Sequence, residues 1–327
     1  MPNPPARLRW RSALATMALL LQAATTAAQN PEYPAQPVHI VVPYPPGGTT
    51  DLLARQFAES LSREFGQSVV IDNRPGGATN IGADAVARSK ADGLTLLFAG
   101  VNQVLNPAFG PTPAFDLMKA MEPVSLVART PFVVSANRNA PFFSPKELIA
   151  AARAAPGKHS ISSAQLDVYV ELLKLRAGIN ILHVPYKGGA PAMTDAISGQ
   201  VDMVYALVPV LLPHIQSGKL KAIGLTSSKR VASLPDTPTF IESGVEFDST
   251  VWYGILAPAG LPRQIQERLL RATHRIVGSP EFTQKLRSSG ADVVANQPAE
   301  FAKQLQDELA FWAQLARTMP NLVSKGQ

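Results

Sequence analysis

The segment Val38 to Asp51, VHIVVPYPPGGTTD, carries an apolar strand through a proline–glycine loop and directly into a helix, which commits the chain to a fold where strands feed helices. Gly47 and Gly48 have no Cβ, so the backbone can take left-handed or extended angles and a ligand can approach main-chain N–H groups. Thr49, Thr50 and Asp51 are all N-cap types, and Leu53, Phe57, Leu61 and Phe65 recur every four residues behind them. The first N–H groups of such a helix lack intrahelical partners and its dipole places about half a positive charge there, which suits a carboxylate or a phosphate. The same residues also suit an ordinary strand-to-helix turn, so the loop alone leaves both readings open.

Residues 1–28 hold Arg7, Arg9 and Arg11 and no acid, then the apolar run Ala13 to Leu21, then the small residues Ala23 to Ala28. This is the plan of a cleavable secretory signal, and the apolar core is well short of the roughly 20 residues of a membrane span. Loss of those three arginines lowers the formal net charge from +6 to +3, too mild and too scattered for a nucleic-acid surface. The chain has no cysteine, so neither a lipid anchor on cysteine nor a disulfide is available. About 300 residues remain, a size that suggests two domains around two cores.

Strands alternate with helices along the mature chain, the signature of α/β architecture with a mostly parallel sheet. Extended segments are expected at Ser68 to Asp72, Thr95 to Ala99, Val124 to Ala136 (interrupted at Pro131), His159 to Ser162, Asn180 to Pro185, Val201 to Leu207, Ala222 to Leu225 and Val251 to Ala257. Ser144, Pro145 and Glu147 form a capping box with proline at the first helical position, and three helices close the chain at Pro262 to Gly278, Ser279 to Ser288 and Pro298 to Arg317. A second strand-loop-helix junction falls at Ser160 to Gln165, where Ser162 and Ser163 add hydroxyls or simply cap the helix. If both junctions face one crevice at the carboxyl ends of their strands, a ligand belongs there.

Catalytic signals are missing. His39, His159, His183, His214 and His274 are dispersed and none has metal-ligand spacing. There is no G-x-S-x-G elbow, no P-loop and no dinucleotide fingerprint. The sequence implies no cofactor and no metal.

The runs YPAQPVHIVVPYPPGGTTDLLAR, FGQSVVIDNRPGGATNIGADAVARSKADGLTLL, ILHVPYKGGAPAMTDAISGQVDMV, IQSGKLKAIGLTSSKR and VWYGILAPAGLP occur in that order and span Tyr33 to about Arg317. Through them the chain resembles the tripartite tricarboxylate transporter receptor family, the Bug- or TctC-like periplasmic solute-binding proteins. The resemblance implies a Venus-flytrap fold: two α/β lobes, each a mostly parallel sheet flanked by helices, with the chain crossing twice between them. Residues 29–126 plus 252–327 are expected to form lobe one and 127–251 lobe two. It implies a periplasmic, monomeric, non-enzymatic receptor that delivers a small carboxylate to the membrane subunits of a tripartite tricarboxylate transporter. A sensing receptor, and an enzyme using the PPGG loop as an anion cradle, are the alternatives.

Matched residue by residue, Tyr44, Pro45, Pro46, Gly47, Gly48, Thr49 and Thr50 form the family's first binding loop, with Asp51 capping the helix. Ser162 and Ser163 match the second loop, Tyr186, Lys187 and Gly188 a third, and Val101 to Asn106, with Asn102 as the contact, the loop after the third strand. Tyr205 and Ala206 end a lobe-two strand at the cleft. Two departures stand out: SISSAQLDVYVELLK lacks the glycines and histidine of the family's longer second loop, and Ala206 stands where an aspartate often follows the aromatic. Both fall on lobe two's half of the grip, where each lost N–H donor is worth about 1 to 3 kcal/mol toward a charged group.

Overall fold

The computed structural model describes residues 33–164 and 167–319, so the expected export signal lies outside the described residues. Strand β1 (Val38–Val42) buries every residue except His39 and leads through the loop into helix α1 (Thr49–Phe65). Helix α1 turns Leu53, Ala54, Phe57, Ala58 and Leu61 inward at helical spacing and stops at Gly66, whose φ of 64° is the left-handed cap. The fully buried Phe57 ring lies 6.3 Å from Phe98 and 6.4 Å from Phe282, tying α1 to the sheet and to the C-terminal helices.

In one half of the sheet, β2 (Val69–Asn73) and β3 (Thr95–Gly100) flank β1 in parallel, with α2 (Asn80–Ala87) as the crossover. In the other half, β6 (Leu182–Tyr186) and β7 (Met203–Leu207) flank β5 (Ser160–Ala164) in parallel, with α6 (Asp167–Ala177) and α7 (Gly189–Ser198) between them. Two strands join the halves. Strand β4 (Met121–Asn137) is antiparallel to β9 (Thr250–Pro258) from Met121 to Pro131, then to β7 and β8 (Leu220–Leu225) from Phe132 to Asn137. The order among described strands is β2-β1-β3-β9-β4-β7-β5-β6, with β8 and β10 (Asp292–Val293) also on β4. The outer strands of each half are thus parallel, as expected, and the strands that join the halves are antiparallel.

The expected break at Pro131 does not occur. Proline lacks the ladder N–H, yet Pro131 closes the β9 ladder opposite Thr250 and Phe132 opens the one opposite Leu207, so the missing donor falls where one partner gives way to the next. The stretch Val101 to Asn106, expected as a loop, is the start of helix α3 (Asn102–Phe109). A helix with no sequence expectation, α8 (Val208–Gln216), follows β7; its Pro209 is in the first turn, where no N–H is needed, and Pro213 lies inside.

Short helix α4 (Leu117–Ala120) precedes β4, and α5 (Pro145–Ala154) follows it. At α5 the Glu147 N–H donates to Ser144 Oγ, while the Glu147 carboxylate accepts from Phe143 N–H, one residue earlier than in the standard capping box. Helices α9 (Arg263–Gly278), α10 (Pro280–Ser288) and α11 (Pro298–Thr318) close the chain. Trp312 of α11 meets Phe109 of α3 edge-on at 6.2 Å and Tyr169 of α6 at 5.5 Å, so this last helix touches both halves.

Candidate functional site

At the first junction the turn is made by Gly47, with φ 84°, while Gly48 is extended and is the N-cap of α1 without any side-chain cap. The organising group is Asp51. Its carboxylate, 2% exposed, accepts from Gly47 N–H at 2.9 Å, from Arg55 Nε at 2.9 Å and from Asn73 Nδ2 at 2.9 Å. Burial alone would raise the Asp51 carboxyl, but the bonds from Arg55, Gly47 and Asn73 outweigh it and hold the group below its ordinary range. Asn73 also donates to Tyr44 O, so strand β2 locks the loop from the side. Gly47 N–H is therefore consumed in shaping the loop. The N–H groups of Thr49 and Thr50 precede the first helical bond, which Leu52 makes to Gly48 O.

Beside this loop the backbone is strained at Ala78 (φ 51°) and Thr79 (φ 86°), left-handed angles that non-glycine residues rarely adopt. Two buried amides of α3 hold the turn: Asn106 donates to Ala78 O at 2.6 Å, and Gln103 to Thr79 Oγ1 at 3.0 Å.

The second junction is built differently. Ser162 Oγ donates to Ala192 O and Met203 O, and Ser163 Oγ lies 2.8 Å from His183 Nε2 and 3.3 Å from Asp167 Oδ1. Both serines are fully buried. His183 Nδ1 is in turn 3.3 Å from Glu171 Oε1, and Lys174 donates to the same carboxylate at 2.9 Å. The bond with His183, against opposing burial and with help from Lys174, lowers the Glu171 carboxyl from 4.5 to about 2.

Two cavities lie between the halves and share Tyr44, Asn102, Leu105 and Val168. The outer one, of about 790 Å³, is bordered by Pro43 to Pro45, the Gly76 to Thr79 turn, α3, Asp167, Tyr186 and Lys187. The inner one, of about 330 Å³, is lined by no Asp, Glu, Lys, Arg or His among the described residues. Four helices begin on it: Thr50 of α1, Val101 and Asn102 of α3, Gly188 and Gly189 of α7, and Leu207 ahead of α8 all line its wall. None of these four starts has a side-chain cap. By contrast α4, α5, α10 and α11, which begin elsewhere on the molecule, are capped by Asp116, Ser144, Ser279 and Gln297. Helix α2, whose N-cap Thr79 lies on the outer cavity, and helix α9, opened by Pro262 and lining neither cavity, also have no side-chain cap. Tyr44, Tyr169, Tyr205 and Tyr253 bring four phenol rings to the inner wall. Burial pushes each of these hydroxyls up, which keeps all four neutral at physiological pH. Close approach explains Gly100, where a Cβ would stand 3.1 Å from the Tyr44 hydroxyl.

Of the residues predicted from sequence, Tyr44, Thr50, Asn102, Gly188, Tyr205 and Ala206 meet on the inner cavity, and Tyr186 and Lys187 join Tyr44 and Asn102 on the outer one. Pro46, Gly47, Gly48, Thr49, Ser162 and Ser163 line neither. The Tyr186 hydroxyl is held by Asp195. Sequence reasoning missed Tyr169, Tyr253, Val210 and Leu211, which line the inner cavity from α6, β9 and α8. The only signal for Tyr253 was its place in the VWYG crossing strand, and Tyr169 reads as one more apolar residue of its helix. Among the described residues no group of three His, Asp or Glu is placed to hold a metal, and no helix is long and apolar enough to cross a membrane.

A family model described as the tripartite tricarboxylate transporter family receptor matches residues 53–320. Protein BugT of Bordetella pertussis is 35% identical over 292 residues, covering 87% of this chain and 90% of that protein. Among solved structures, the R. palustris protein Rpa4515 with adipate is similar at a TM-score of 0.77 and 34% identity, over 88% of this chain and 98% of that one. MatC from Rhodopseudomonas palustris with bound malate is similar at 0.72 and 27% identity, over 86% and 99%.

Proposed function

The chain belongs to the tripartite tricarboxylate transporter receptor family, and from that premise we propose that it captures a small carboxylate between the two halves of its sheet and delivers it to the membrane subunits of such a transporter. The observation that carries this reading is the set of four helix starts without side-chain caps on one uncharged cavity. A bound carboxylate would complete those N–H groups and meet the positive ends of the dipoles. Relatives with bound adipate and malate support the ligand class.

Receptors of this family are periplasmic, and residues 1–28 are proposed as the cleavable signal that exports this one, acting as a monomer. Lobe one is proposed at 29–126 plus 252–327 and lobe two at 127–251. The exchange of partners along β4 supports a hinge in this strand, a few residues beyond Leu126, at Pro131. Ligand contacts are proposed at Tyr44, Thr49, Thr50 and Asn102 from lobe one and Gly188, Tyr205 and Ala206 from lobe two. Pro46, Gly47 and Gly48 shape the first loop, Tyr186 and Lys187 border the entrance, and Ser162 and Ser163 brace the second junction from behind.

Binding of a ligand to the folded state alone stabilises it by about 2.7 kcal/mol at 100 times its Kd. Melting curves of the purified protein with millimolar adipate, malate or benzoate test the reading: a rise of several degrees with at least one acid is expected, and flat curves with all three defeat it. Loss of uptake on gene deletion, rather than loss of induction alone, separates transport from sensing.

One cluster favours a second reading. Ser163, His183 and Glu171 stand in the order nucleophile, base and carboxylate of an acyl-transfer relay. Ser163 is fully buried and lines neither cavity, which leaves its hydroxyl without access to a substrate. Hydrolysis of p-nitrophenyl acetate above the Ser163→Ala background would support the enzyme.

A further inference from the structure

We infer that the last helix, α11, is a splint across the hinge that sets the resting angle between the lobes, an inference that rests on the receptor reading and its hinge at Pro131. Helix α11 grips the two crossing strands just before β4 changes partners. Arg129 of β4 stands opposite Trp252 of β9, and both reach the helix: Arg129 Nη2 donates to Gln304 Oε1 at 2.6 Å and Trp252 Nε1 to Glu308 Oε2 at 2.8 Å. Gln304 Nε2 closes the circuit by donating to Glu308 Oε1 at 2.8 Å. The helix also sits directly on β9, where a Cβ on Gly254 would stand 2.7 Å from the Phe301 ring. Trp252 is 1% exposed and meets the buried Phe301 ring edge-on at 5.3 Å, which fixes the helix on the strand.

Farther along, the same helix meets the other half. Trp312 contacts Tyr169 of α6 edge-on at 5.5 Å, and Tyr169 lies 4.8 Å from Phe132, the first residue of β4 after the change of partner. From Gln304 to Trp312 is about 12 Å along a helix, and from Arg129 to Phe132 is about 10 Å along a strand. One rod therefore spans the point where β4 passes from one half to the other, and holds it on both sides. The two grips differ in kind. The first is hydrogen-bonded to the crossing strands, whereas the second is an edge-on ring contact that slides or breaks when lobe two turns about Pro131. Its lobe-two member, Tyr169, also lines the inner cavity, while Trp312 lines neither. Trp312 is thus a positioning residue: it weights one lobe angle against others, and a shift in that equilibrium changes the apparent Kd without any contact to the ligand.

Spin-label distances between the lobes test the inference. The chain has no cysteine, so Ser68→Cys and Ser198→Cys, at exposed positions just before β2 and at the end of α7, place one label on each half. In the free protein Trp312→Leu is expected to broaden or displace the distance distribution. It is also expected to change the Kd for whichever of adipate, malate and benzoate the parent binds by about fivefold in either direction. Trp312→Phe, which keeps an aromatic edge, should hold both near the parent's values. Arg129→Met, at a half-buried position, cuts the other grip and should also move the distribution, which decides the matter should Trp312→Leu not fold. An unmoved distribution with a lower melting temperature makes Trp312 a core residue only and overturns the splint, leaving the receptor reading standing. A changed Kd with an unmoved distribution overturns it too, because Trp312 then acts through Phe109 on α3. A parent that binds none of the three acids defeats the receptor reading, and the distributions of the free variants still decide the splint.

Discussion

The two strand-to-helix junctions use the same order of elements to opposite ends. At Pro43 to Asp51 one buried carboxylate gathers Gly47 N–H, Arg55 and Asn73, so the loop is shaped from within and the first N–H groups of α1 remain for a ligand. At Ser160 to Asp167 the polar groups turn inward, Ser162 to the carbonyls of Ala192 and Met203 and Ser163 to His183. A residue type that reads as a binding group in sequence becomes a structural brace when its neighbours supply the partners. The contrast leaves Gly188, Tyr205 and the start of α8 lining the inner cavity from this side while the serine loop lines neither cavity, which is why the proposed lobe-two contacts are placed there.

The sharpest way to break this comparison is Asp51→Ala. Removing the buried acceptor takes the partner from Gly47 N–H and one of the two acceptors from Asn73 Nδ2, and a stability loss of about 3 kcal/mol together with loss of ligand-induced stabilisation is expected in melting curves. An unchanged ligand response would separate the loop from binding. Gly48→Val comes next. Gly48 is extended, and a Cβ there would approach nothing closer than Pro45 O at 3.9 Å, so the free protein should keep its stability within about 0.5 kcal/mol while ligand stabilisation disappears. A variant that still gained several degrees from the same acid would overturn the assignment of this loop.

The third test concerns acid. Glu171 is held at about 2 in the folded chain against an ordinary 4.5, so its contribution to stability is complete above about pH 4.5 and fades as pH falls toward 2. Glu171→Gln should remove on the order of 1 to 2 kcal/mol at pH 7, once solvent screening is allowed for, and flatten the acid limb of the stability curve between those values. A wild-type acid limb would contradict the brace. The smallest effect is Ser162→Ala: about 1 kcal/mol of stability and a Kd within about twofold of the parent. A tenfold loss of affinity would restore Ser162 to the ligand's side of the comparison.

Much of this was legible locally. The β1 to α1 junction, the Gly66 stop and the Ser144 start are each specified by a few consecutive residues, and the long motifs carried the family and hence the two-lobed fold. What escaped was set by distance. Tyr44, Asn102, Tyr169, Tyr205 and Tyr253 meet on one cavity from five separate elements, and no periodicity in any of them announces that meeting. Helices α3 and α8 were missed because Pro107, Pro209 and Pro213 read as breakers; in α3, Gln103 and Asn106 are anchored to Thr79 and Ala78, so tertiary contacts reinforce the turn. The roles of Ser162 and Ser163 depended on His183 and Met203, which the sequence places at least 20 residues away.

The central claim is that a ligand carboxylate completes the start of α1 inside the cleft, and a crystal structure of the complex with the acid that raises the melting temperature most addresses it most directly. Expected are carboxylate oxygens within about 3.2 Å of the Thr49 or Thr50 N–H. A carboxylate bound instead to Lys187 in the outer cavity, or to the serines of the second junction, would contradict it.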